Sequence, residues 1–131
     1  MKFYPGLQSK LLALPGALIS ITALAAVLRL YDLDRAGLGN LYYASTVYSM
    51  GLSLHNFLYA TLDPLGTFIV DKPPVAPWIQ VIFSKFIGFN GVALILPMAI
   101  ASTAAVPLLY FASKPAFGRG VGLLAAMIFA T

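Results

Sequence analysis

From Gly91 to Ser113 the chain runs without a single charge. A second apolar run, Leu11 to Leu30, carries one charge, Arg29, close to its end. A helix rises about 1.5 Å per residue, so about 20 residues cross the roughly 30 Å hydrocarbon layer of a bilayer, and each run is long enough. Both read as transmembrane helices. Composition agrees: 60% of the 131 residues are hydrophobic and 9% are charged, against about 45–50% and about 25% in soluble domains. A small water-soluble fold exposes too much of its surface to hide that much apolar material. Lipid is therefore the solvent for much of this chain.

The basic start at Lys2 and Lys10, followed by Ala23-Leu24-Ala25, also fits a cleaved signal peptide. The apolar run is long for a signal core, and a second long run follows it, so a retained span is the stronger reading. After Ser113, a short Lys114–Arg119 turn leads into a third apolar run, Gly120 to Thr131. That run is too short to span, so Thr131 is expected to be a truncation point. With no cysteine, disulfides, thiolate zinc sites and thiol catalysis are excluded within this stretch, and one histidine, His55, excludes a His-rich metal site.

The net charge of +4 invites a nucleic-acid reading, but the placement of the charges argues otherwise. Outside the interval between the two long runs stand only Lys2, Lys10, Lys114 and Arg119. Within it lie all four acids (Asp32, Asp34, Asp63, Asp71), with Arg35, Lys72 and Lys85, and Arg29 stands at its border. Cytoplasmic flanks carry the excess of basic residues. The N-terminus and the 114–119 turn are thus expected in the cytoplasm, and the segment 31–90 outside. Pro74 to Gly88 is apolar but shorter than a span, and it contains Gln80, Ser84 and Lys85. It reads as a helix at the outer interface.

The outer loop is rich in Tyr, Phe and Leu and is therefore not a linker. Asn40 can cap a helix running to about Leu54. At 100° per residue, Ser45, Thr46, Ser49, Ser53 and Asn56 share one arc, opposite Tyr43, Val47, Met50 and Leu54. Such a helix would lie on the membrane with its polar stripe toward a cavity or water, as a site wall or as plain scaffold. Asp63-Pro64-Leu65-Gly66 is turn chemistry. Val70-Asp71-Lys72-Pro73-Pro74, followed by Trp78, says more. Two prolines suit a helix start, and an anion there is favoured by the helix dipole and by a lysine's full charge. A phosphate seat is one reading; Lys72 snorkelling with Asp71 as its counter-charge is the other.

Taken as an ordered series, these words resemble bacterial glycosyltransferase family 39-type proteins, from about Arg29 to the end of the chain. The series is Arg29-Leu30-Tyr31, Asn40-Leu41-Tyr42-Tyr43-Ala44, Ser49-Met50, His55-Asn56-Phe57, Asp63-Pro64-x-Gly66, Asp71-Lys72-Pro73-Pro74, Trp78, Phe86-Ile87-Gly88 and Leu96-Pro97. Such proteins are C-type membrane glycosyltransferases, like protein O-mannosyltransferases and the aminoarabinose transferases of lipid A. The resemblance implies an all-α, polytopic enzyme of the inner (plasma) membrane, several times longer than this chain. Two interfacial helices of its first outer loop would help build the active site. It also implies transfer of a mannose-like hexose or an aminoarabinose-like sugar from a polyprenyl-phosphate carrier. The acceptor would be a protein, lipid or glycan on the extracytoplasmic side.

Residue roles follow from the same resemblance. An acid-Lys-Pro word matching Asp71-Lys72-Pro73 lies in the active site of the aminoarabinose relatives, which puts Lys72 at the carrier phosphate, with Arg29 as a further phosphate ligand. Asn40, Tyr42, Tyr43, His55 and Trp78 would line the donor and acceptor cavity. Mannosyl- and aminoarabinose transferases open the first interfacial helix with an acidic pair, where this chain has Gly39-Asn40. The general base then falls to Asp71 or Asp63. A cation at the leaving phosphate and a carboxylate at the acceptor hydroxyl are what this reaction needs. No metal ligand set is assigned, although a divalent ion held by aspartates is compatible with the chemistry. The competing classes are a transporter component and a non-catalytic membrane scaffold. The two full spans carry no ionisable residue apart from Arg29, which weighs against transport.

Overall fold

The computed structural model describes residues 5–131, with side chains from Gly16 onward. Lys2 lies outside the described residues, and Lys10 is described by its backbone alone. The described chain is all-α. Its helices are α1 (Pro5–Leu30), α2 (Leu41–Met50), α3 (Leu54–Tyr59), α4 (Val75–Ile87) and α5 (Gly91–Ala130), with a 3-10 turn at Leu33–Ala36. They belong to two compact units: α1 and Tyr31 with Ile100–Thr131, and Asp32–Ala99.

In the first unit, α1 packs with both arms of the α5 hairpin. Helix α5 is interrupted at Gly118, whose φ of 81° and ψ of 173° are open to glycine and strained for other residues. This break lies within the segment 114–119, where a turn was expected. The buried contacts are Ile21 and Ala25 on α1, Val106 and Tyr110 on the first arm, and Ala126 and Ala130 on the second. Small side chains let the backbones approach closely, as membrane helices require. The outward faces stay apolar: Ile19, Val27, Leu28, Leu108, Phe111, Leu124 and Ile128 are all exposed. A water-soluble helix would present charge there. Helix α5 is long and apolar enough to cross a membrane.

The second unit is built on a core of Ala44, Val47 and Met50 (α2), Ala60, Val70, Val81 (α4) and Leu94 (α5), with Tyr43, Phe57 and Trp78 packed against it. Burying the larger of these side chains, Val47, Met50, Val70, Val81 and Leu94, is worth about 1.5–3 kcal/mol each relative to exposure. Asn40 caps α2, accepting from the Tyr42 N–H at 2.9 Å. The helix ends at Met50, short of the expected Leu54, because Ser53 caps a new helix by accepting from the Asn56 N–H at 3.1 Å. Lys85 of α4 donates to the Gly51 carbonyl at 2.7 Å, and Gln80 donates to the Leu94 carbonyl at 2.7 Å. Helix α4 is 13 residues long, or about 20 Å, too short to span a bilayer.

Candidate active site

Between α3 and α4 the chain doubles back on itself. Leu62 N–H donates to the Phe68 carbonyl at 2.8 Å and Val70 N–H to the Ala60 carbonyl at 2.9 Å, around an antiparallel bridge of Thr61 with Ile69. The Asp63-Pro64-Leu65-Gly66 turn closes this hairpin, with Gly66 N–H donating to the Asp63 carbonyl at 3.0 Å. Val70 is buried in the core, and the next two residues, Asp71 and Lys72, emerge at the surface immediately before the Pro73-Pro74 start of α4.

The Asp71 carboxylate meets two groups there. The Tyr42 hydroxyl, on the first turn of α2, lies 3.5 Å from Oδ1, the outer limit of a hydrogen bond. The Lys72 ammonium lies 3.6 Å from Oδ2, and both side chains are more than half exposed. An ion pair so open and so long contributes little to stability. Its charges remain available to a ligand. Tyr43 meets Tyr42 edge to face, with ring centroids 5.2 Å apart. Four expected site residues, Tyr42, Tyr43, Asp71 and Lys72, are thus brought together by α2 and the hairpin exit.

The other expected site residues have local occupations. Asp63 is held by its own turn: Phe68 N–H donates to Oδ1 at 2.7 Å and Thr67 N–H to Oδ2 at 3.2 Å. The Phe68 hydrogen bond foremost, then that from Thr67, holds its carboxyl below the usual carboxylate range. A carboxylate stabilised in this way is a weak base. Asn40 spends its side chain on the α2 cap. Trp78 donates its indole N–H to the Phe57 carbonyl at 2.7 Å and stacks on the Phe57 ring. His55 lies 4.7 Å from Tyr59, ring to ring, next to Gly66 of the turn. Arg29, in the first unit, donates to the carbonyls of Ala130 at 2.9 Å and Phe129 at 2.6 Å and sits over the Phe129 ring. Among the described residues, no three His, Asp or Glu side chains converge as metal ligands do.

The polar stripe expected to face a cavity or water is instead mostly interior. Thr46, Ser49 and Asn56 are buried, whereas Ser45 and Ser53 are exposed. Ser49 Oγ donates to the Asp63 carbonyl at 2.6 Å, which uses its one proton. Its partner at 3.0 Å, the buried Thr61 hydroxyl, is then the donor in that pair. Asn56 Nδ2 donates to the Pro64 carbonyl at 3.1 Å and to both oxygens of Ser49 at 3.3 Å. Periodicity placed these residues on one face; it held no signal that the 60–70 hairpin would cover it.

Known proteins share much of this stretch. Residues 71–131 match the family described as dolichyl-phosphate-mannose-protein mannosyltransferase. Two proteins of Bacillus subtilis (strain 168) align over most of the chain. "Putative mannosyltransferase YycA" is 45% identical over 114 residues, covering 87% of this chain and 17% of that protein. "Putative mannosyltransferase YkcB" is 39% identical over 113 residues, covering 86% and 16%. By sequence, this chain is glycosyltransferase family 39-like. It spans about a sixth of the length of these curated relatives. No solved structure gives a significant match. The match to the dolichyl-phosphate-mannose-protein mannosyltransferase family opens at Asp71, so the Asp71-Lys72 pair lies inside it, at its first two positions.

Proposed function

We propose that this chain is part of a membrane glycosyltransferase that moves a mannose-like or aminoarabinose-like sugar from a polyprenyl-phosphate carrier to an extracytoplasmic acceptor. The observation that carries the reading is the open Asp71-Lys72 pair before α4, beside the Tyr42 hydroxyl, at the start of the mannosyltransferase-family match. Lys72 sits on the carrier phosphate, where a fixed cation stabilises the charge that develops on the leaving group. Asp71 takes the acceptor proton, since it is exposed and loosely held while Asp63 is occupied by its turn amides. Tyr42 orients that carboxylate.

The topology goes with the function. Lys114 and Arg119 face the cytoplasm, 31–90 faces outward, and α4 lies in the outer interface with Val75, Ile79, Ile82 and Phe86 toward lipid; all four of these apolar residues are exposed. A lipid-linked donor needs its phosphate met at that depth. The test is transfer of radiolabelled mannose, in membranes containing the complete protein, from polyprenyl-phosphate mannose and from a nucleotide sugar. Transfer from the lipid donor alone is expected. Transfer from the nucleotide sugar alone would contradict the proposal.

A further inference from the structure

We infer that Ser49 and Asn56 are positioning residues for the Asp71-Lys72 pair, acting through the two carbonyls of the 63–64 turn; this rests on the reading just given. The two side chains come from different helices, α2 and α3, and converge on consecutive backbone carbonyls: Ser49 on Asp63, Asn56 on Pro64. Thr61, on the incoming side of the hairpin, donates to Ser49 and closes the network. Ser49 and Thr61 are fully buried and Asn56 is 3% exposed.

Burying three polar side chains next to an apolar core costs free energy unless each is satisfied. An apolar trio would hold a hairpin against α2 by contact alone, but it would leave sliding and rotation open. Directed hydrogen bonds to two named carbonyls fix register as well as contact. That register matters because the hairpin is short. The Thr61–Ile69 bridge and the Val70 N–H bond to Ala60 lead without an intervening residue to Asp71. The opposite side of the site, Tyr42, stands on α2 itself, two turns before Ser49. The network therefore ties both halves of the site, Tyr42 and Asp71-Lys72, to the same helix.

The experiment uses the complete protein in detergent or nanodiscs, with two readouts. Hydrogen–deuterium exchange of a peptide covering 60–72 reports the hairpin, and transfer kinetics with the lipid donor report the site. Thr61→Val keeps shape and removes the hydroxyl, Thr61→Ser restores it, and Ser49→Ala removes the hub. For Thr61→Val and Ser49→Ala the hairpin amides are expected to exchange faster. Displacing a charged group by about 1 Å is enough to lower kcat/KM for the lipid donor about tenfold or more, with a rise in donor KM. Thr61→Ser is expected to remain close to wild type in both readouts. A variant that is only destabilised loses active fraction at unchanged donor KM, and that result would overturn the inference. Faster exchange with unaltered kinetics would overturn it too, as would unaltered exchange. Should Ser49→Ala fail to fold, the Thr61 pair decides alone. A wild-type protein that transfers from no lipid donor would instead remove the reading beneath it, which the wild-type control shows directly.

Discussion

Asp63, half-buried at the hairpin turn, and Asp71, exposed at its exit, stand in opposite surroundings. The Asp63 carboxylate accepts two backbone N–H groups, and its pKa is lowered as a result. A group whose folded pKa is depressed stabilises the fold above its unfolded pKa and loses that contribution as pH falls through the folded value. The hairpin is thus expected to stay closed at neutral pH and to open only below the ordinary carboxylate range, read as amide exchange at Thr67 and Phe68. Asp63→Asn, whose amide nitrogen cannot accept, should raise that exchange at pH 7. Trp78 offers a second residue-scale test. Its indole N–H serves the Phe57 carbonyl, so Trp78→Phe is expected to cost about 1 kcal/mol of stability and to leave donor KM unchanged. A rise in donor KM in that variant would put Trp78 in the cavity. Local chemistry of this kind was legible in the sequence, since Asp-Pro-x-Gly states its own turn and Asn40 its own cap. What Asp63 and Trp78 would touch was not, because their partners lie several residues or a whole helix away.

At the level of elements, the helix starts could be read from single residues, whereas the coverings could not. Asn40 begins α2 as its side chain requires, and Pro73-Pro74 precede α4. The break between α2 and α3 was hidden because the apolar period continues through Met50 and Leu54 while Ser53 caps a fresh helix. The start of α5 shows a constraint of another kind. A Cβ on Gly91 would collide with the backbone carbonyl of Gly37, so α5 can meet the chain after the 3-10 turn only if residue 91 has no side chain. Gly91→Ala is expected to destabilise the second unit by about 1–3 kcal/mol, the usual cost of overpacking, measured as a lower thermal midpoint in detergent. An unchanged midpoint would mean that the two backbones separate freely. Asn40→Ala, by loss of the cap, should cost about 1 kcal/mol.

For the whole molecule, charge placement and apolar length carry the proposed topology, and an ordered series of short words carries the family. Both lie in the sequence itself. The meeting of Tyr42 with Asp71-Lys72 does not, because it depends on a hairpin held by buried hydrogen bonds. The proposed orientation makes its own test. A cysteine placed at Leu65, which is 92% exposed, should react with a membrane-impermeant maleimide in intact cells. One placed at Phe117, beside the α5 break, should react only after permeabilisation. The reverse pattern would invert the chain and move Lys72 to the cytoplasmic side. The central claim is that Lys72 holds the carrier phosphate during sugar transfer. The most direct measurement is transfer from polyprenyl-phosphate mannose by the complete protein and by its Lys72→Ala variant, at matched amounts of inserted protein. Losing one transition-state cation contact should lower kcat/KM by about 10²-fold or more. Lys72→Ala protein that transfers at the wild-type rate would contradict the account.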